Sequence, residues 1–227
     1  MCSRYSLTSP HEAVRSYFRY QNEHVFPPRY NIAPAQPAGI VSLDANGTRI
    51  FDLVRWGLLP PWVKDPGTFA TLVNARAETV HEKPSFKGAL RHRRCLVPAD
   101  GFYEWTGRAG AKRPHLIRPR AGGPMAFAGL RESWLGADGS ELDTMAILTV
   151  PANATVGALH DRMPAILTPA QFDAWLDCRG VDVKAALTLL HPADDDVLDE
   201  IEVSPRVNNA RNEGEDLQRP VANTRLI

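Results

Sequence analysis

The chain has 227 residues, 44% of them apolar, with 26 basic and 26 acidic side chains; this length buries a sizeable core, and the composition excludes disorder, collagen and coiled coil. No apolar run approaches the roughly 18 residues of a membrane span, and Met1-Cys2-Ser3-Arg4-Tyr5 offers no signal-peptide stretch. The expectation is therefore a soluble, cytoplasmic monomer, one domain over 1–227 with a polar tail from about residue 209.

In chain order, Ser9-Pro10 reads as an N-cap and first helical residue, and Val14, Tyr17 and Phe18 recur at helical spacing in a segment running to about Gln21. Short segments rich in β-branched and aromatic residues follow at 39–59, 71–79, 93–106, 115–118, 125–134 and 143–150. Gly107 to Ala111 and Gly136 to Ser140 read as hairpin connections. Two late helices are predicted, one opened by Thr168-Pro169 with Phe172, Trp175 and Leu176 on a face, the other carrying Val183, Ala186, Leu187 and Leu190. A strand-like stretch from Glu200 to Val207 precedes the polar tail. The fold class is α+β and β-rich, a single domain of mostly antiparallel strands with peripheral helices.

Charge is segregated: residues 1–120 carry a net +9 and residues 121–227 a net −9. That split permits a basic groove for a polyanion, and equally permits neutralisation of one half by the other within a single fold. Cys2, Cys95 and Cys178 are too few and scattered for a disulfide framework, and no C-x-x-C pair or ligand-spaced His and Cys cluster indicates a metal. No cofactor is indicated either, because no phosphate-cradling glycine motif is present.

Cys2 stands out by position, because removal of Met1 would expose it as a 1,2-aminothiol. Such an amine meets an aldehyde to give an imine, and the neighbouring thiol then closes a five-membered thiazolidine ring. Three such groups, Cys2 among them, sit two residues from an arginine, an extended spacing that shares a face: Cys2 with Arg4, Asn74 with Arg76, and His160 with Arg162. Arginine there suits a phosphate through charge-assisted, bidentate hydrogen bonds, or serves a structural ion pair. Glu104, among aromatics in Gly101-Phe102-Tyr103-Glu104-Trp105, either carries a raised pKa useful for proton transfer or points to solvent. Trp62 and Phe69 lie in a Pro- and Gly-containing loop, where an aromatic either stacks on an unpaired base or anchors the loop. The stretch Arg29-Tyr30-Asn31-Ile32-Ala33-Pro34 either lines a groove or fixes a corner.

Together, Met1 to Tyr5, Pro28 to Pro34, Arg55 to Pro60, Asn74 to Thr79, Cys95 to Trp105 and His160 to Pro164 resemble, in order, the SOS-response-associated peptidase (SRAP) family across nearly the whole chain. The resemblance implies a single β-rich domain that senses abasic sites in single-stranded DNA, notably near a junction with duplex, and crosslinks to them through Cys2, shielding the lesion. On that analogy Asn74 positions the cysteine and the opened sugar, Glu104 shuttles protons during imine formation, and His160 assists ring opening. Arg4, Arg76 and Arg162 would hold phosphates. Lyase-like strand incision and a self-cleavage that removes Met1 are further implications. The alternatives are a cysteine-type peptidase and a non-covalent single-stranded-DNA-binding module. Ser3 departs from the glycine usual after the family's cysteine, and serine lacks glycine's backbone freedom.

Overall fold

The computed structural model describes residues 2–108 and 110–221. Met1, whose removal the thiazolidine chemistry requires, Ala109 in the Gly107 to Ala111 connection, and residues 222–227 of the tail lie outside the described residues.

Turn chemistry sets the first long hairpin. Strands β3 (Pro37–Leu43) and β4 (Arg49–Trp56) pair from Pro37 with Arg55 to Leu43 with Arg49. Asp44 closes the turn by accepting from the backbone N–H groups of Asn46 and Thr48 at 2.9 and 2.8 Å, an Asx turn completed by Gly47 at φ 82°. A second hairpin joins β9 (Met125–Leu135) to β10 (Glu141–Pro151) through Gly136 to Ser140. With β6 (Arg94–Ala99), these strands close a ring in the order β10-β4-β3-β6-β9, completed by the β9–β10 ladder. Closure removes exposed edges. Around the ring lie β5 (Asn74–Arg76) and β11 (Arg162–Pro164), both paired with β10, and β12 (Ile166–Leu167), paired with β9.

A second, wholly antiparallel sheet runs in the order β13 (Leu198–Glu202), β8 (Arg113–Pro119), β7 (Gly101–Thr106), β1 (Tyr5–Leu7), β2 (Arg29–Ile32). The chain passes from ring to sheet at Asp100-Gly101, between β6 and β7. A Cβ on Gly101 would stand 2.9 Å from the Ile117 carbonyl oxygen, so only glycine fits this crossing. One face of the second sheet sends Tyr5, Phe102 and Ile117 into the main core, where Tyr5 meets Trp56 edge-on with centroids 5.1 Å apart. The other face packs Tyr103 and Leu116 against Val203 and Val207.

Helices are peripheral: α1 (His11–Phe18), α2 (Pro84–His92), α3 (Ala154–Gly157), α4 (Phe172–Leu176) and α5 (Val183–Leu187). Thr168 and Gln171 form a capping box before α4, and Asp182 caps α5 by accepting from the Ala185 N–H at 2.8 Å. Among the described residues, no helix is long and apolar enough to cross a membrane.

The β-rich α+β architecture and both hairpin connections agree with the sequence reading, although β4 and β5 pair with β10 in parallel. Four local expectations differ. The Ser9 side chain does not cap α1; it donates to Asp100 Oδ1 at 2.7 Å, and the N-cap position is Pro10. The helix stops at Phe18 because Arg19 turns left-handed at φ 58°. Leu190 lies beyond α5, and the strand expected from Glu200 to Val207 ends at Glu202, since Pro205 opens a 3₁₀ turn instead. The described part of the polar tail is packed: Leu217 is fully buried, and Gln218 donates to Ser6 Oγ and Tyr103 Oη at 2.9 and 3.0 Å.

Candidate active site

Cys2 lies three residues before the start of β1, and the sheet order places β1 beside β7, the strand carrying Glu104. From the ring, β5 delivers Asn74 and the turn before β11 delivers His160. Asn74 Nδ2 donates to the Cys2 carbonyl oxygen at 2.6 Å. Asn74 Oδ1 is buried and has no hydrogen-bond partner among the described residues.

Cys2 is fully buried, and burial first, then the negative charge of Glu104, push its thiol well above the usual range. Glu104, 4% exposed, has its carboxyl raised by burial, against which nearby positive charge, His160 included, pulls it down. His160 Nδ1 lies 2.9 Å from both the Arg162 backbone N–H and Asp161 Oδ1. Nδ1 accepts from the N–H when the ring proton is on Nε2, and donates to the Asp161 carboxylate, whose side chain is 84% exposed, when Nδ1 is protonated. Asn74 is thus bonded to the Cys2 backbone, and Glu104 is coupled electrostatically to Cys2 and to His160, which brings a thiol, an amide, a carboxyl and an imidazole together.

The three arginines differ. Arg4 Nη1 donates to Asn31 Oδ1 at 2.7 Å and to the Val207 carbonyl at 2.9 Å, and its guanidinium lies 5.8 Å from the Trp105 ring centroid. Arg162 forks onto Glu78 with 2.6 and 2.9 Å bonds and also donates to the Thr149 carbonyl at 2.5 Å. That fork holds Glu78 below the usual carboxylate range. Arg76 is exposed and has no ion-pair partner among the described residues. Trp62 is 56% exposed, whereas Phe69 meets it edge-on at 5.5 Å and packs on the cluster of Leu59, Val63 and Trp134. The loop therefore contains both an anchored and an open aromatic.

Asn31 and Glu78 escaped the sequence reading. Asn31 is fully buried and donates to the carbonyls of Val207, Asn209 and Asn212, so its stretch fixes a corner. Glu78 lies in the turn after β5, and its partner Arg162 is 84 residues away in sequence, so local spacing carried no signal for the pair. Ser3 is exposed and lines a cleft of about 540 Å³ with Arg4, Trp105, Lys112 and Asn208, so its hydroxyl has room where a glycine is usual. Among the described residues no group of His, Cys, Asp and Glu could hold a metal ion.

Fold and cluster define a class: a β-rich protein whose Cys2, near the N-terminus, lies beside a buried carboxyl and an asparagine from a neighbouring strand. The family model described as SOS response associated peptidase (SRAP) matches residues 1–210, and the chain belongs to that family. It is 38% identical over 221 residues to the abasic site processing protein YoqW of Bacillus subtilis, covering 96% of this chain and 98% of that one. It is 31% identical to the abasic site processing protein HMCES of Mus musculus, with 93% of this chain and 74% of the mouse protein covered. A crystal structure of a Bacteroides thetaiotaomicron protein shares the fold, with a TM-score of 0.85 at 24% identity over 97% of this chain and 100% of that one.

Proposed function

We propose that this protein traps abasic sites in single-stranded DNA as a covalent crosslink through Cys2, once Met1 has been removed. The observation that carries the reading is the junction of β1, β5 and β7, where the Cys2 backbone is held by Asn74 beside a carboxyl raised by burial. Family membership and relatives named for abasic site processing support it.

The reaction needs no redox partner. The ring-opened abasic sugar presents an aldehyde; the Cys2 amine adds to it, and the carbinolamine loses one water to give an imine. The thiol adds to the imine carbon, its proton passes to the imine nitrogen, and a thiazolidine results. A thiol kept protonated by burial waits for the imine while the amine attacks first. Glu104 hands a proton to the departing hydroxyl and regains one from the amine, work suited to a carboxyl raised above its ordinary value. His160, with its proton on Nε2, donates to the sugar oxygen on ring opening. The unpartnered Asn74 Oδ1 receives the amine or a sugar hydroxyl.

Arg76 meets the phosphate backbone, and Trp62 stacks on an unpaired base beside the lesion, near a duplex junction. Arg4 and Arg162, already bonded to protein groups, hold phosphates with the donors that remain, while fixing the cleft walls. The protein acts as a monomer in the cytoplasm, on the nucleoid. An imine intermediate also permits lyase-like strand incision, and the same cluster would hydrolyse the Met1–Cys2 bond. Intact mass of Glu104→Gln separates the sources of maturation: retained Met1 supports self-processing, and its loss assigns removal to an aminopeptidase. The crosslink itself is tested by denaturing electrophoresis of the matured protein with an abasic oligonucleotide.

A further inference from the structure

Between β4 and β5 the chain leaves the ring as a loop whose ends close on each other, the Leu58 N–H donating to the Leu72 carbonyl at 3.0 Å. At its base the Leu59 N–H donates to Thr144 Oγ1, also at 3.0 Å. Beyond that point, among the described residues, a single hydrogen bond ties residues 60–71 to the rest of the protein: the Trp134 indole N–H donates to the Val63 carbonyl at 2.6 Å. The other bonds of this segment are internal, from Val63 to Pro60 and from Gly67 and Thr68 to Asp65.

Trp134 lies near the end of β9, opposite Leu142 of β10, and is 7% exposed. It joins Leu59 and Val63, with half-buried Phe69 and Leu142 against them, in an apolar cluster separate from the main core. Gly136 leaves room for the indole, since a Cβ there would stand 2.9 Å from Trp134 Cη2. Val63, the residue held, directly follows Trp62, the residue left open to solvent. Burying the Val63 side chain and bonding its carbonyl sets the direction in which the neighbouring Trp62 ring leaves the surface, and Phe69, seated in the same cluster, meets that ring edge-on. A loop with so few ties opens at low free energy. The Trp134 bond and its cluster therefore govern how often Trp62 stands where a base can meet it.

We propose that Trp134 is a positioning residue for DNA binding, acting from beneath the loop by holding Val63 so that Trp62 is presented to an unpaired base. The proposal rests on the reading of Trp62 as a stacking platform, and is independent of the crosslink chemistry at Cys2.

The test is a double-mutant cycle on the full chain, read by fluorescence anisotropy with a labelled single-stranded oligonucleotide that carries no lesion. Trp62→Ala is expected to weaken binding about fivefold or more, and Trp134→Ala about threefold or more. Trp134→Phe, which keeps an aromatic ring in the cluster and loses the indole N–H, should fall between Trp134→Ala and wild type. In a Trp62→Ala background the Trp134 substitutions should change affinity by about twofold or less, because the ring they position is gone. Hydrogen exchange of the DNA-free proteins should be faster in residues 60–71 of both Trp134 variants and unchanged in the strands of the main core. A loss of affinity that persists undiminished without Trp62, or loop exchange equal to wild type, overturns the proposal. So does wild-type affinity in Trp134→Ala beside a weakened Trp62→Ala, which leaves the stacking reading intact. Wild-type affinity in Trp62→Ala overturns that reading, and the proposal with it.

Discussion

Asn74 reaches from the edge of the ring to the Cys2 carbonyl oxygen, a 2.6 Å hydrogen bond joining residues 72 positions apart. Its net contribution to stability is about 1 kcal/mol, but a nucleophile displaced by an ångström loses roughly a hundredfold in rate. Asn74→Ala should therefore melt within a few degrees of wild type while forming adduct on the order of tenfold to a hundredfold more slowly. Parallel melting curves and time-resolved gels measure both; equal rates would show that the bond does not position Cys2.

Glu104 gives a pH prediction with a definite sign. Its folded-state pKa is raised by burial, so the folded protein binds the proton more tightly than the unfolded chain. The associated stability is fully present below the unfolded value and is lost as pH rises through the folded one. Glu104→Gln, always neutral, should match wild type in acid and gain on it as pH approaches neutrality, while losing adduct formation. Melting temperatures of both proteins from pH 4 to 8 check this, and a difference independent of pH would contradict it.

Arg94 is a structural prediction. It is 2% exposed and donates to the carbonyls of Trp175, Leu90, Asp177 and Val181 at 2.6, 3.1, 2.7 and 2.9 Å, tying α4 and the turn after it to β6. Arg94→Met leaves several buried carbonyls unpaired and should cost about 3 kcal/mol or more. For a chain of this size that lowers the melting temperature by roughly 6 to 12 °C. Denaturant midpoints measure the loss.

DNA contact is expected to divide between charge and stacking. Trp62→Ala should weaken single-strand binding by about 1–3 kcal/mol without destabilising the fold, because the ring is 56% exposed. Arg76→Gln should reduce the salt slope of binding by roughly 0.7 for one lost phosphate contact. Fluorescence anisotropy across a salt series separates the two effects, and a slope unchanged by Arg76→Gln would remove that residue from the interface.

The sequence showed most of the ring and little of how the second sheet is closed. Long strands such as β9, with Phe127 and Trp134, and β10, with Thr144, Ile147, Thr149 and Val150, were legible because aromatic or β-branched residues run between strong turn signals. β1 and β2 are only three and four residues long, too short for a period to register. Their position is fixed by tertiary bonds: Asp100 accepts from the Thr8 and Ser9 N–H groups at 2.5 and 2.6 Å, and Asn31 ties down the C-terminal segment. Helix α2 is absent from the sequence reading, although Pro84 at its first position opens it and Phe86, Ala89 and Leu90 form its buried face. At the site, Cys2, Asn74, Glu104 and His160 were legible as chemistry. The bonding of Arg4 and Arg162 to protein groups was not, since Asn31 and Glu78 acquire meaning only when distant segments meet.

The central claim is tested by incubating the matured, Met1-less protein with a single-stranded oligonucleotide carrying one abasic site, then running denaturing electrophoresis with intact-mass analysis. The account predicts a heat-stable adduct whose mass is that of protein plus DNA less one water, and no such adduct from Cys2→Ala, which should still bind the strand. An adduct of equal yield from Cys2→Ala, or none from the matured wild-type protein, would contradict it.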